Sequence, residues 1–142
     1  MSAQGLEVID ETVQQTHTWI KDLAERIGTP DRREAMRLMR AVLSGIRDHL
    51  AHDEAAHLSA QLPVLVRGFY WEGWRPSQTP VHPRGKTALL ERVGAACARA
   101  PDAELEADVV SALRLLNAHV TEGEIRDVRN SLPQDLREVW PA

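Results

Sequence analysis

A chain of 142 residues with 43% hydrophobic and 27% charged residues has the make-up of one soluble globular domain or two very small ones. Its formal net charge of −4 comes from acids and bases mixed along the chain, with no basic face to follow a phosphate backbone, so nucleic-acid binding is not expected. Cys97 is the only cysteine, which excludes a disulfide framework and suits a cytoplasmic setting. The stretch Met1 to Glu11 is polar and acidic, unlike a secretory signal, and no apolar run approaches the ~20 residues of a membrane span.

Ile9, Val13, Ile20, Leu23 and Ile27 recur at helical spacing and predict a first amphipathic helix with Gly28 just past its end. Thr29-Pro30-Asp31 breaks the pattern, and Asp31 with Glu34 forms an Asp-x-x-Glu start signal. A second helix then carries Ala35, Met39, Val42, Leu43, Ile46 and Leu50 on its inner stripe. A short third helix is expected over about residues 54 to 61, with Ala55, Leu58 and Leu62 inward. Pro63 suits the first turn of a fourth, whose buried face would be Val66, Phe69 and Tyr70. Between Arg75 and Lys86 periodicity disappears among Pro76, Pro80, Pro83 and Gly85, which reads as a linker. Leu89, Leu90, Val93 and Cys97 mark a fifth helix; Leu105, Val109, Leu113, Leu116 and Val120 mark a sixth. Thr121-Glu122-Gly123-Glu124 is a capping box opening a seventh with Ile125, Val128 and Leu132, and Pro133 starts an eighth that ends at Trp140-Pro141. Nothing alternates with period two, so the expected fold class is all-α.

The order of these elements repeats. Leu132-Pro133 follows Leu62-Pro63 by 70 positions, and the same interval sets His119 on His49, Glu124 on Glu54, Arg137 on Arg67 and Leu113 on Leu43. The expected architecture is a helical bundle of two tandem repeats, residues 1–75 and 87–142, joined by a Pro-rich linker at 76–86. The two would pack as one globular unit about a pseudo-two-fold axis, because three short helices alone cannot bury their apolar stripes. The linker is long enough for halves to be exchanged between chains, so either a monomer or a homodimer is compatible with it.

His52 to Trp74, HDEAAHLSAQLPVLVRGFYWEGW, and Thr121 to Trp140, TEGEIRDVRNSLPQDLREVW, resemble the two halves of the bacterial domain-of-unknown-function family numbered 2267. The resemblance runs from about Thr16 to Trp140. It implies a small helical bacterial protein with two related halves, and it carries over no catalytic residue.

Several groups could bear chemistry. His49, His52, Asp53 and His57 lie close in sequence and are candidate metal ligands. The His-Asp-Glu-Ala-Ala-His run does not make the zinc-protease pattern, since histidines five apart are rotated some 140° around a helix. The alternative reading of these histidines is a helix end, where protonated imidazole meets the dipole favourably. His49, Glu54 and Arg67, repeated as His119, Glu124 and Arg137, are expected to close the corners of the repeats. There each arginine would bridge to the glutamate or to helix-end carbonyls, unless the pair of corners forms twin anion sites. Phe69 and Tyr70 have apolar counterparts in Val139 and Trp140, whereas Trp71 and Trp74 have none. With Arg75 and Arg84 these two tryptophans form a candidate partner-binding surface, the other reading being cover by the linker. Cys97 is in register with Ile27 and reads as inert core. Gly68 and Gly73 read as helix-packing and helix-end positions.

No nucleophile–base pair assembles from these residues, so an enzyme is not expected and no cofactor is implied. The preferred expectation is a non-catalytic cytoplasmic interaction or regulatory module with an unidentified protein partner and no role at nucleic acid or membrane. The alternative is a small-ligand or metal-binding protein using the cleft between halves or the His49/His52/His57 corner.

Overall fold

The structure, a computed structural model, describes residues 5–142, so the first four positions of the acidic N-terminal stretch lie outside the described residues. It is all-α. The helices are α1 (Glu7–Ile27), α2 (Arg32–His49), α3 (His52–Ser59), α4 (Val64–Trp71), α5 (Lys86–Cys97), α6 (Ala103–His119), α7 (Glu122–Asn130) and α8 (Gln134–Val139), with one 3₁₀ turn at Pro76–Gln78. Among the described residues no helix is long and apolar enough to cross a membrane.

The ends of these helices follow from local chemistry. Gly28 takes the left-handed conformation (φ 73°) that closes α1, while Thr29 N–H reaches back to Ala24 O. Asp31 caps α2 by accepting from Arg33 N–H, Asp102 caps α6 through Leu105 N–H, and Thr121 caps α7 through Glu124 N–H. Pro63 and Pro133 stand one place earlier than expected, as the residues just before α4 and α8.

Helices of the two halves interleave. α1 packs on α2 and on α6, α5 packs on α2 and on α6, and α3 meets α7. The closest approach is at Gly45 of α2, where an added Cβ would stand 2.5 Å from Leu89 Cδ1 of α5. Gly94 is equally confined, its virtual Cβ lying 2.7 Å from Arg99 O. The packing glycines are therefore Gly45 and Gly94. Gly68 faces open space, and Gly73, at φ 74°, lies beyond the end of α4.

The 70-residue interval is visible in the elements. α1 and α5 end that far apart, α2 and α6 do too, and α3 and α7, like α4 and α8, begin that far apart. Burial along 122–141 follows that along 52–71 at every position except Arg129, which is less buried than Ser59. Every inner-stripe residue expected of α2 is buried. Of the stripe expected in α1, however, only Ile20 and Leu23 are buried and Ile27 is partly so; Ile9 and Val13 are exposed. The reason is geometric. α5 begins at Lys86, the position matching Thr16, so the first turns of α1 have no helical counterpart and overhang the bundle.

Candidate functional site

The C-terminal end of α2 delivers His49 into the interior, 1% exposed. Its Nδ1–H donates to Gly45 O at 2.7 Å, and its Nε2 accepts from Gly85 N–H at 3.1 Å. These partners define a neutral imidazole with its proton on Nδ1. Burial, helped by the nearby positive charges of Arg84 and Arg92, holds its pKa below the ordinary histidine value. Both ring nitrogens are thus committed to backbone. His52 is exposed and donates from Nε2 to Pro76 O, while Asp53 and His57 also face solvent. The four candidate ligands do not converge, and among the described residues no group of three His, Cys, Asp or Glu is placed to hold a metal ion.

The tryptophan surface is largely engaged by the chain itself. Trp71 packs against the core and meets Tyr70 edge-on at 5.0 Å; Trp74 lies 4.8 Å from Trp71 and 5.5 Å from His52, ring centre to ring centre. Both indoles are half-buried, and Trp74 Nε1 is enclosed. Arg84 donates through Nη2 to His49 O (2.7 Å) and Ser131 O (3.0 Å). Of the four residues, only Arg75 is exposed with no such tie, at the mouth of a small cavity of about 250 Å³ beside Asp48 and Arg92.

The repeated polar set divides. Arg67 takes helix-end carbonyls, donating to Ser59 O and Leu62 O at 2.9 Å each. Glu54 and Glu124 face each other where α3 meets α7, with one carboxyl oxygen of each enclosed. Desolvation, then the hydrogen-bonded Glu54 carboxyl and its charge, push Glu124 up to about 7. His119 is not used like His49. It stacks on Trp19 at 4.7 Å and bonds through Nε2 to Asp22 Oδ2 at 2.9 Å. Desolvation alone would raise Asp22, but hydrogen bonds from His119 and Arg26 outweigh it and keep that carboxyl low.

Two further sites were not legible in the sequence. One is the charged clamp of Arg47, 1% exposed, which donates to both oxygens of Asp48 and to the carbonyls of Tyr70 and Glu72. Arg92 adds a second cation to Asp48. The matching residue, Asn117, holds the end of α8 by donating to Pro141 O and accepting from Trp140 Nε1–H.

The other is a cleft of about 700 Å³ between the first turns of α1, the α3–α4 junction and the end of α6. Trp19, His119, Arg67 and Gln61 line it with Glu11, Gln14, Gln15, Thr12 and Thr18. Amides and hydroxyls both donate and accept, so this lining can match polar backbone. Val8 and Val64 stand on the rim, 67% and 61% exposed. The other exposed large hydrophobic residues among the described ones, Leu6, Ile9, Val13 and Leu65, also lie near the start of α1 or of α4 but outside the lining of the cleft. Thr12 Oγ1 accepts from Leu65 N–H at 2.9 Å and ties the two segments together.

Comparison with known proteins gives one family. Its profile, described as "Uncharacterized conserved protein (DUF2267)", matches residues 16–139. No curated protein matches the chain.

Proposed function

From its place in the DUF2267 family, to which the chain belongs, we propose that it is a non-catalytic, cytoplasmic interaction module that receives a polypeptide segment of a partner in the α1/α4/α6 cleft. The observation that carries this reading is a cleft lined by amides, hydroxyls and one aromatic ring, with the exposed apolar side chains of Val8 and Val64 on its rim. Apolar contact at the rim supplies affinity, and polar groups inside supply orientation. Glu11 in the lining, with Glu7 one turn before it, favours a basic partner segment. The surface around Trp71 and Trp74 takes a smaller part, because its indoles and Arg84 already have partners in the chain.

The test is site-specific photo-crosslinking in the native host, with the probe at Gln15 in the cleft, at Val64 on its rim, or at Glu104. Glu104 lies at the far end of α6, about 22 Å from His119 along the helix. Adducts of one protein at Gln15 and Val64 but not at Glu104 are expected. The purified partner should then bind the wild-type chain and lose affinity on joint Val8→Asp and Val64→Asp substitution. Equal labelling at all three positions would refute the reading. A second reading, a small ligand in the same cleft, is favoured by the Trp19–His119 stack. Native mass spectrometry of protein from the host would reveal it as a discrete added mass.

A further inference from the structure

The cleft has a counterpart that this chain fills with its own backbone. Moving by 70 positions, the lining residues Gln61, Leu62, Pro63, Arg67 and His119 correspond to Ser131, Leu132, Pro133, Arg137 and His49. At that second corner the linker drops inward just before α5. Arg84 Nη2 donates to His49 O (2.7 Å) and Ser131 O (3.0 Å), Gly85 N–H to His49 Nε2 (3.1 Å), and Lys86 N–H to Asp135 Oδ2 (3.0 Å). The thread is tight. Gly85 turns at φ 129°, and a Cβ there would sit 2.9 Å from Asp135 Oδ2.

At the first corner the matching chain positions, 12 to 15, are still helical, because α1 continues back to Glu7. A straight helix stands along one wall where the bent linker would have entered. What is left is the cleft, lined by Gln61 and His119, the residues whose sequence positions match Ser131 and His49.

We infer that this cleft binds an extended, arginine-bearing segment of a partner protein, its guanidinium donating to the carbonyl oxygens of Gln61 and His119. The inference rests on the interaction reading above and specifies its partner. Arginine suits the place because its guanidinium offers several donors in a rigid plane and remains charged at all working pH values. Glu11 on the wall adds favourable charge, while the one arginine of the lining, Arg67, is turned to the carbonyls of Ser59 and Leu62. One contact must differ. His119 Nε2 is engaged by Asp22, so it cannot accept a peptide N–H as His49 does, and the anchoring falls to the carbonyls and the Gln and Thr side chains.

The chain supplies its own probe peptide. ¹⁵N-labelled full-length protein is titrated with the capped peptide Val-His-Pro-Arg-Gly-Lys-Thr, the sequence of residues 81–87, and with a twin carrying citrulline for arginine. Saturable shifts are expected at Gln61, at His119 and at the Trp19 indole, with Gly85 unmoved. The citrulline twin should bind at least about tenfold more weakly, since charge-assisted hydrogen bonds are lost. No saturable binding at millimolar peptide, equal binding of the twins, or shifts confined to another surface would each overturn the inference. Cleft-localised cross-links in the host beside any of those results would leave the interaction reading standing and remove only the arginine. Absence of cleft-localised cross-links would remove the reading itself.

Discussion

Replacing Arg47 with methionine keeps most of an aliphatic stem in place and deletes every hydrogen bond of the guanidinium. Four contacts vanish: those to the two Asp48 oxygens, at 2.7 and 3.1 Å, and those to Tyr70 O and Glu72 O, at 2.7 and 2.9 Å. Asp48 stays buried, its side chain 8% exposed, and keeps only Arg92, which is itself more than a third exposed. Breaking a buried pair by removing one partner costs about 3–5 kcal/mol. Arg92 compensates part of this, so the expectation is the lower end, about 3 kcal/mol.

For 142 residues the unfolding entropy near the midpoint is about 0.3 kcal/mol/K. A loss of about 3 kcal/mol therefore lowers Tm by about 10 °C. Circular dichroism at 222 nm gives Tm, and urea unfolding gives the free energy directly. Because the deleted contacts couple α2 to the end of α4, adding Asp48→Asn to Arg47→Met should cost less than the sum of the single changes, by about 2 kcal/mol. A Tm within about 3 °C of wild type, or strict additivity in the cycle, would refute the claim that this buried cluster holds the two elements together.

Glu124→Gln removes a carboxyl whose pKa is raised on folding. A carboxyl raised from 4.5 to about 7 on folding contributes stability below pH 4.5 that is lost as pH rises through about 7. The variant should therefore be more stable than wild type by about 1–2 kcal/mol at pH 8 and no more stable at pH 4.5, by urea unfolding, and equal behaviour at both pH values would contradict the pair. His49 acts in the opposite sense: its pKa is lowered on folding, so its contribution is present above pH 6.5 and lost as pH falls through the folded value. In the Glu124→Gln background the urea midpoint should fall below pH 6.5, and adding His49→Gln should flatten the profile; a flat profile before that change would be decisive against it. Ala98 closes α5 at φ 53°, the position where α1 has Gly28. Ala98→Gly should raise stability by about 0.5–1 kcal/mol, read as a small rise in Tm, whereas a fall would show that relief of left-handed strain is outweighed.

What could be read from the sequence was whatever depends on local periodicity. Leu105, Val109, Leu113 and Leu116 define a buried stripe because their spacing is helical, and each lies in the core. The 70-residue correspondence of the helix bounds was legible through Leu-Pro and the His, Glu and Arg spaced by the same interval. It was illegible wherever the two halves solve one problem with different residues. Arg47 and Asn117 both hold the end of a final helix, but arginine and asparagine align as a mismatch. The carboxyl pair was hidden for the opposite reason. Glu54 and Glu124 were recognised as equivalents, yet equivalence in sequence does not say that equivalents touch, and only the meeting of α3 with α7 brings them together.

The cleft required a comparison that neither half contains alone. Residues 7–15 continue a helix, while residues 77–85, broken by Pro80, Pro83 and Gly85, cannot. Two related corners thereby come to differ by one thread of backbone, closed over His49 and open beside His119. Arg84 and Gly85 at the closed corner supply, within this chain, the shape and charge that the proposed partner segment would bring to the open one. That is why Arg84, read at first as part of a partner-binding surface, is more informative as a ligand than as a receptor.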